Sequence, residues 1–258
     1  MIEIKSAREI ASMRRAGQIA GKALRRAGDL VAPGVTTQRL EDAIRETIFS
    51  EGATSSFLGY DLGWGGFPAC SCISVNEEVI HGIPGHRRLR EGDIVSIDVG
   101  AVFEGYHGDT AATFPVGKVS AKAAELIRVT RACFFEGLAQ AREGKRIGDI
   151  SRAVHRNAQE NGCGVVYAYT GHGVGKKLHE EPEVPNVDTG RLGPRLLRGM
   201  TIAIEPMINA GTGDIRSLRN AWPVVTADGR LSAHYEHTVL ITAGEPELLT
   251  WVGEDGSV

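Results

Sequence analysis

Hydrophobic positions near the start of the chain recur at the spacing of amphipathic helices. A first helix is predicted to begin at Ser6, because Ser6 and Glu9 have the spacing of a capping box before an apolar stripe. The Pro-Gly pair at positions 33–34 ends this region. A second helix is predicted from about Thr37, with its apolar residues on one face, and it stops at Gly52. The N-terminal region therefore predicts a pair of helices.

The same order of features returns in the second half of the chain. Residues 120–142 predict a helix, Gly144 interrupts the pattern, and a second amphipathic segment follows. Gly144 and the apolar positions of the segment after it follow the corresponding positions of the first helix pair at a constant offset along the chain. A repeat of this length is too long for a solenoid unit. We therefore predict a single catalytic domain over residues 1–258, with related halves at roughly 1–115 and 116–258.

Strand patterns repeat as well, and each ends in a carboxylate. The apolar run at 92–98 ends in Asp98, and the run at 199–205 ends in Glu205. A histidine precedes each run and a further carboxylate follows it, His81 and Asp109 in the first half and His179 and Glu236 in the second. A site on an approximate twofold axis would then receive a histidine and two carboxylates from each half.

Composition narrows the class of protein. The 258 residues are 42% hydrophobic and 24% charged, and the net charge of -3 leaves no electrostatic footprint for nucleic acid. No stretch reaches the roughly 18 apolar residues of a membrane span. The four cysteines have neither zinc-ribbon spacing nor the density of a disulfide scaffold. We expect a cytoplasmic protein that binds neither nucleic acid nor membranes.

Two carboxylates in the first half indicate a metal site. The segment from Ile94 to Phe114 is typical of a hairpin that turns near residues 103–105, with Asp98 and Asp109 almost equally far from the turn. They would face each other across the ladder, with Cβ atoms roughly 5 Å apart. Two bare carboxylates there would repel, and both lie among apolar residues. A divalent cation between them would remove this repulsion.

The second half supplies the remaining candidate ligands. Glu205 lies in an apolar run, Glu236 follows downstream, and His172 is flanked by glycines that would let the backbone approach a ligand closely. This oxygen-rich set with one imidazole suits a pair of divalent ions such as Mn, Fe, Co or Zn. Two such ions can activate a bridging water and polarise a carbonyl, so we expect metal-assisted amide hydrolysis.

The motifs together closely resemble the type I methionine aminopeptidases of the minimal bacterial kind, across essentially the whole chain. The segments that carry the resemblance are NEEVIHGIP (76–84), GDIVSIDV (92–99), HGDT (107–110), GHGVG (171–175), HEEP (179–182), TIAIEPMIN (201–209) and YEHT (235–238). The resemblance implies an α+β pita-bread fold, in which a curved antiparallel sheet lies under flanking helices.

The resemblance also implies roles for individual residues. One ion would be held by Asp98, Asp109 and Glu236, and the other by Asp109, His172, Glu205 and Glu236. Three groups would act on the substrate. His81 would contact it, His179 would lie near the scissile carbonyl and stabilise the developing oxyanion, and Glu205 would transfer a proton. The residues implied for the methionine side-chain pocket are Phe67, Cys72, Leu178 and Trp222, with Trp64 as a further candidate.

Three positions depart from the family pattern. Ile80 stands where many relatives have cysteine, Leu178 replaces an aromatic residue, and His234 stands where the family would have glutamine. We expect these changes to affect the pocket and the surroundings of the metal site and to leave every implied ligand in place.

Other interpretations share part of this pattern. Prolidases and Xaa-Pro aminopeptidases use the same ligands but usually carry a sizeable N-terminal domain, whereas the first helix here is predicted at Ser6. A type II methionine aminopeptidase would have a long insertion between Glu205 and Glu236. A metal-free binding module of the same fold would have lost ligands. The resemblance therefore favours a monomeric enzyme that removes the initiator methionine from nascent polypeptides, near the ribosome.

Overall fold

A computed structural model describes residues 1–61, 65–218 and 222–252. The helices in these ranges are α1 (Ala7–Asp29), α2 (Thr37–Ser50), α3 (Ala121–Leu138) and α4 (Ile147–Glu160). The strands are β1 (Thr54–Ser55), β2 (Ser71–Val75), β3 (Glu78–Ile80), β4 (Ile94–Phe103), β5 (Tyr106–Pro115), β6 (Gly164–Val165), β7 (Gly171–Gly173), β8 (Glu180–Val184), β9 (Thr201–Ile204), β10 (Met207–Asn209), β11 (Ile215–Ser217), β12 (Val224–Thr226), β13 (Ser232–His234), β14 (Glu236–Leu240) and β15 (Glu247–Leu248).

The predicted helix starts are confirmed, and one predicted end is wrong. Ser6 caps α1 through a complete capping box with Glu9, and α2 begins at Thr37. The third helix stops at Leu138 rather than at residue 142. The following backbone N–H groups, from Gln140 and Ala141, bond to carbonyls only three residues back. The last turn has thus tightened, and this ends the α-helix.

The main sheet places the strands that carry acidic residues side by side. Its order is β1-β4-β5-β14-β9-β7-β8, with β2 paired to β4 and β15 paired to β14, and the pairings are antiparallel. Strands β4 and β5 are joined by the two-residue turn Glu104-Gly105, and both residues have positive φ angles, 50° and 78°. These angles match the tight turn that suits the twist of a hairpin.

The helices cover the sheet through a single large apolar cluster. Buried residues of all four helices pack with buried residues of β4 and β9 in this cluster. Helix α1 lies so close to β5 that a Cβ on Gly108 would be 2.4 Å from the backbone nitrogen of Gly17. Glycine is therefore required at position 108. This contact packs α1 against β5 at the residue that precedes Asp109. No helix in the described ranges is long and apolar enough to cross a membrane.

Candidate metal centre

Neighbouring strands bring the predicted ligands into one pocket. Asp98 lies on β4, Asp109 on β5, Glu236 on β14 and His172 on β7, while Glu205 directly follows β9. All of these side chains line the same cavity of about 310 Å³. Asp109, His172 and Glu236 are buried, and Asp98 and Glu205 are partly buried.

The hairpin register differs from the prediction in one respect. Asp98 lies opposite Ala111, and Asp109 lies opposite Gly100. The two aspartates are therefore on the same face of the sheet but are diagonal neighbours, not a directly opposed pair. The reason is the two-residue turn, which pairs Phe103 with Tyr106 and shifts the register away from the symmetric arrangement.

Hydrogen bonding orients His172 toward the carboxylates. Its Nδ1 lies 2.9 Å from the carbonyl oxygen of Gly173, and because a carbonyl only accepts, Nδ1 carries the proton. The Nε2 lone pair is left free, 3.4 Å from Glu205 Oε1 and 4.0 Å from Asp109 Oδ2. Proteins usually orient a metal-binding imidazole in this way, through a hydrogen bond from the ring nitrogen that does not bind the metal.

The flanking glycines of His172 also have a role in strand packing. A Cβ on Gly171 would lie 2.3 Å from the carbonyl oxygen of Ala203, and one on Gly173 would lie 2.3 Å from that of Glu181. These glycines therefore admit the neighbouring backbone of the β9 and β8 strands, a reason for glycine that the sequence did not reveal.

The electrostatics of the cluster favour a bound cation. Burial raises the pKa of Asp109 to about 7. Burial also raises the pKa of Asp98, Glu205 and Glu236 well above the usual range, and the nearby charge of Asp109 adds to each increase. Burial lowers the pKa of His172 to about 3, so its imidazole is neutral. Without a positive charge, the carboxyl groups would hold protons near neutral pH.

Unpaired polar atoms show that the residues fit a divalent metal ion. Among the described residues, Asp98 Oδ1, Asp109 Oδ1 and Glu236 Oε1 are buried without a hydrogen-bond partner. Donor atoms of Asp109, His172 and Glu236 lie within 4.8 Å of one another. Buried polar atoms without partners are costly and call for an explanation such as an ion. Carboxylate oxygens and a neutral imidazole are suitable donors for one.

Two histidines lie above this cluster in the same pocket. His179 packs against His172 with 4.3 Å between ring centroids, and its Nδ1 lies 2.7 Å from the Tyr60 hydroxyl. His81 has a positive φ of 60°, which is uncommon for a non-glycine residue, and its ring contacts Trp222. Burial lowers the pKa of both imidazoles, that of His81 to about 4.

An apolar cluster forms one wall of the cavity. Phe67, Cys72 and Leu178 are buried in it, and Trp222 packs edge-on against Phe67 with 5.2 Å between ring centroids. Burial raises the pKa of Cys72 well above its ordinary value, so it is a thiol and an apolar lining residue. The remaining pocket candidate, Trp64, lies outside the described residues.

Several residues that line the cavity were not assigned to the site from the sequence, among them Tyr60, Tyr169 and His234. Tyr60 bonds to His179, Tyr169 packs edge-on against the His81 ring, and His234 lies between two of the predicted ligands. The tyrosines lie outside any motif with a chemical signature. His234 was recognised only as a departure from the family pattern, and its position two residues before Glu236 was the available signal.

The antiparallel sheet under helices and the acidic cluster beneath a cavity define a candidate metal-dependent hydrolase. Comparison with known proteins agrees. The profile of metallopeptidase family M24 matches residues 11–243. A methionine aminopeptidase of Clostridium perfringens is 48% identical, covering 98% of this chain and 100% of that protein. Methionine aminopeptidase 1 of Bacillus subtilis is 44% identical with the same coverage.

Solved structures agree with the sequence comparisons. The crystal structure of a methionine aminopeptidase from Thermotoga maritima superposes with a TM-score of 0.94 at 40% identity, covering 98% of this chain and 100% of that one. Prolidase from Pyrococcus furiosus shares the fold at 23% identity and a TM-score of 0.76, covering 97% of this chain and 66% of that one. The pita-bread fold is thus confirmed. The chain belongs to metallopeptidase family M24, and within it to the methionine aminopeptidases.

Proposed function

We propose that this protein is a methionyl aminopeptidase, which hydrolyses the first peptide bond of polypeptides that begin with methionine. The observation that carries the proposal is the position of the acidic cluster. The carboxylates and His172 lie beside an apolar wall that includes Cys72 and Leu178, in one cavity. A volume of about 310 Å³ is at the low end for small-ligand pockets, which suits a single side chain.

Two divalent ions are the proposed cofactors. Asp98, Asp109 and Glu236 would hold one ion, and Asp109, His172, Glu205 and Glu236 would hold the other, so that Asp109 and Glu236 bridge. Such ions, when bound, lower the pKa of water and polarise the carbonyl of the scissile bond. The unpartnered oxygen atoms of Asp98, Asp109 and Glu236 support this assignment.

His179 is the proposed oxyanion-stabilising group. The Tyr60 hydroxyl and Nδ1 of His179 are joined by a hydrogen bond of 2.7 Å, and in the proposed tautomer the hydroxyl is the donor, so that Nε2 carries the N–H. Because the pKa of His179 is lowered by burial, the ring is neutral and this single N–H is its donor. A donor fixed in position before the reaction stabilises the oxygen on which negative charge develops.

Two further residues complete the proposed catalytic set. Glu205 would accept the proton of the attacking water and pass it to the departing amine, because its carboxyl group lines the cavity beside His172. His81, which lines the cavity beside Trp222, contacts the substrate. The methionine side chain lies against Phe67, Cys72, Leu178 and Trp222, where an apolar, polarizable lining suits a thioether.

The proposed substrates in the cell are nascent polypeptides that still carry the initiator methionine. Such chains are exposed near the ribosome in the cytoplasm, so we place the enzyme there, acting as a monomer. The relatives from Clostridium perfringens and Bacillus subtilis, which are named methionine aminopeptidases, support polypeptides with an N-terminal methionine as the substrates.

Restoring metal to the stripped protein tests the proposal. The purified chain is treated with chelator, and Mn, Fe, Co or Zn is added separately before cleavage of Met-Ala-Ser and Ala-Pro-Ser peptides is measured. We expect at least one metal to restore release of methionine from Met-Ala-Ser. Preference for the proline peptide would overturn the methionine assignment and favour a prolidase-like activity.

Ligand variants test the arrangement of the centre. Asp109→Ala should lose both metal binding and turnover, because it removes a bridging carboxylate. Unchanged metal affinity in this variant would contradict the bridging role. Asp42→Ala, which removes an exposed carboxylate on α2, is the matched control and should retain both properties.

A further inference from the structure

His234 occupies an unexplained position beside the acidic cluster. It is buried at the end of β13, and its Nε2 lies 3.7 Å from Glu205 Oε2 and 3.9 Å from Glu236 Oε2. Among the described residues, this nitrogen has no hydrogen-bond partner. Donor atoms of Glu205, His234 and Glu236 all lie within 4.8 Å of one another, and His234 lines the same cavity as the other candidate ligands.

The backbone around His234 is held firmly. Its N–H donates to Thr113 Oγ1 at 2.8 Å, and that hydroxyl donates to the His234 carbonyl oxygen at 2.9 Å. Met207 of β10 lies directly opposite His234 in the ladder. The imidazole is therefore presented to Glu205 and Glu236 from a fixed strand end, which is what a ligand position requires.

The distances from His234 Nε2 to the carboxylates of Glu205 and Glu236 are those of atoms that share an ion and are too long for hydrogen bonds. Hydrogen bonds from nitrogen to oxygen are about 2.7–3.2 Å long, so both separations from His234 Nε2 exceed that range. Two ligand atoms of one ion, each about 2.0–2.2 Å from it, lie about 3.3–3.6 Å apart at the tetrahedral angle and farther apart at the wider ligand angles of higher coordination numbers. The distance of 3.4 Å between His172 Nε2 and Glu205 Oε1 falls in the same range.

We infer that His234 Nε2 is an additional ligand of the ion held by Glu205 and Glu236. The centre would then receive one imidazole from His172 on β7 and another from His234 on β13. This inference rests on the metal centre proposed above. It predicts a centre richer in nitrogen than the family pattern, which would have glutamine at this position. Imidazole ligands suit Fe, Co and Zn better than the harder Mn ion.

X-ray absorption by the cobalt-loaded protein tests the inference directly. The full-length chain is stripped with chelator and loaded with Co²⁺ to saturation, and the imidazole contribution per ion is measured. With His172 alone, this contribution should be about half of that expected when His234 also binds. The wild-type protein alone therefore discriminates, whether or not a variant folds.

Variants provide the second measurement. His234→Gln should reduce the imidazole contribution by about half and raise the Kd for Co²⁺ at least about tenfold, since even indirect contacts to metal ligands are worth that much. Binding of Mn²⁺ should weaken less. His86→Gln is the control, because it removes an exposed histidine away from the cavity and should leave the spectrum and the affinity unchanged. In His234→Ala, added imidazole should restore the wild-type spectrum.

The outcomes separate this inference from the proposed function. A wild-type spectrum with only the His172 contribution, or an unchanged spectrum and affinity in His234→Gln, would overturn the role of His234 and leave the metal centre standing. Failure of the wild-type protein to bind Co²⁺ at all would instead overturn the proposed centre itself.

Discussion

Asp109 carries a carboxyl group that is costly to ionise in the folded protein, so Asp109→Asn should stabilise the metal-free protein at alkaline pH. Burial raises the pKa of Asp109 from 3.8 to about 7. The folded state therefore holds this proton more tightly than the unfolded state. The contribution to stability is fully present below pH 3.8 and is lost as the pH rises through about 7.

The magnitude follows from this difference in pKa. At about 1.4 kcal/mol per pKa unit, the raised value corresponds to a cost of about 4 kcal/mol at pH 8. The neutral amide of asparagine removes this cost but leaves polar atoms without partners, at about 1–3 kcal/mol. A net gain of about 1–3 kcal/mol remains, and it should raise Tm by a few degrees in a protein of this size.

Thermal unfolding in chelator, followed by circular dichroism at pH 5 and pH 8, measures this effect. We expect the Asn variant to exceed wild type at pH 8 and the advantage to shrink by more than half at pH 5. Adding Co²⁺ should reverse the order, because ligand at about a thousandfold excess over Kd stabilises only the binding protein, by about 4.1 kcal/mol, which exceeds the gain of the variant. Asp42→Asn, an exposed control, should change Tm little under each condition.

Two results would refute this reasoning. If the metal-free Asn variant has a lower Tm than wild type at pH 8, then ionising Asp109 in the folded protein is not costly. An advantage that does not depend on pH would mean that the stabilisation comes from a contact of the amide and has no link to the carboxyl proton.

Other outcomes follow from the same site and fold. His179→Ala should retain Co²⁺ and lose about 10²–10³-fold in kcat, as other enzymes do when an oxyanion donor is removed. Tyr60→Phe should retain Co²⁺ and lose less in kcat. Loss of metal in either variant would contradict these roles. Metal affinity should rise from pH 5 to pH 8, because the carboxyl groups must release protons before they bind the metal. Calorimetry in buffers of different ionisation enthalpy would detect this proton release. A constant affinity over this pH range would count against it. Gly108→Ala should lower the free energy of unfolding in urea by about 1–3 kcal/mol, because the added Cβ would clash with the α1 backbone. An unchanged midpoint would show that the helix can shift freely. Trp222→Ala should raise KM for methionine peptides more than it lowers kcat, and an unchanged KM would place the methionine side chain elsewhere.

Local patterns were sufficient to predict the helix starts and the positions of the main strands. Ser6 and Glu9 form the expected capping box, because the groups that cap a helix lie three residues apart in the chain. Asp98 stands out in an apolar strand without any knowledge of its neighbours, because a carboxylate in such a run needs a partner. The two-half arrangement of the chain stays a prediction.

Register and strand-end geometry were harder to predict. The diagonal relation of Asp98 and Asp109 depends on which two residues form the turn, and a shift by one changes the pairing. The glycines beside His172 were interpreted as room for a ligand, and they also admit carbonyl groups from strands that are distant in sequence. Nothing near these residues in the chain carries that information.

Residue types and spacing along the chain were thus enough to identify the helices, the strand runs around Asp98 and Glu205, and the side chains with metal-binding chemistry, because these signals depend on neighbours a few residues apart. Which of those side chains share one volume was decided by the folded protein. The backbone of Asp109 is joined to the Thr238 hydroxyl by hydrogen bonds in both directions, and His234 is held by Thr113. Such contacts join residues more than a hundred positions apart, and their distances are set by packing of the whole sheet.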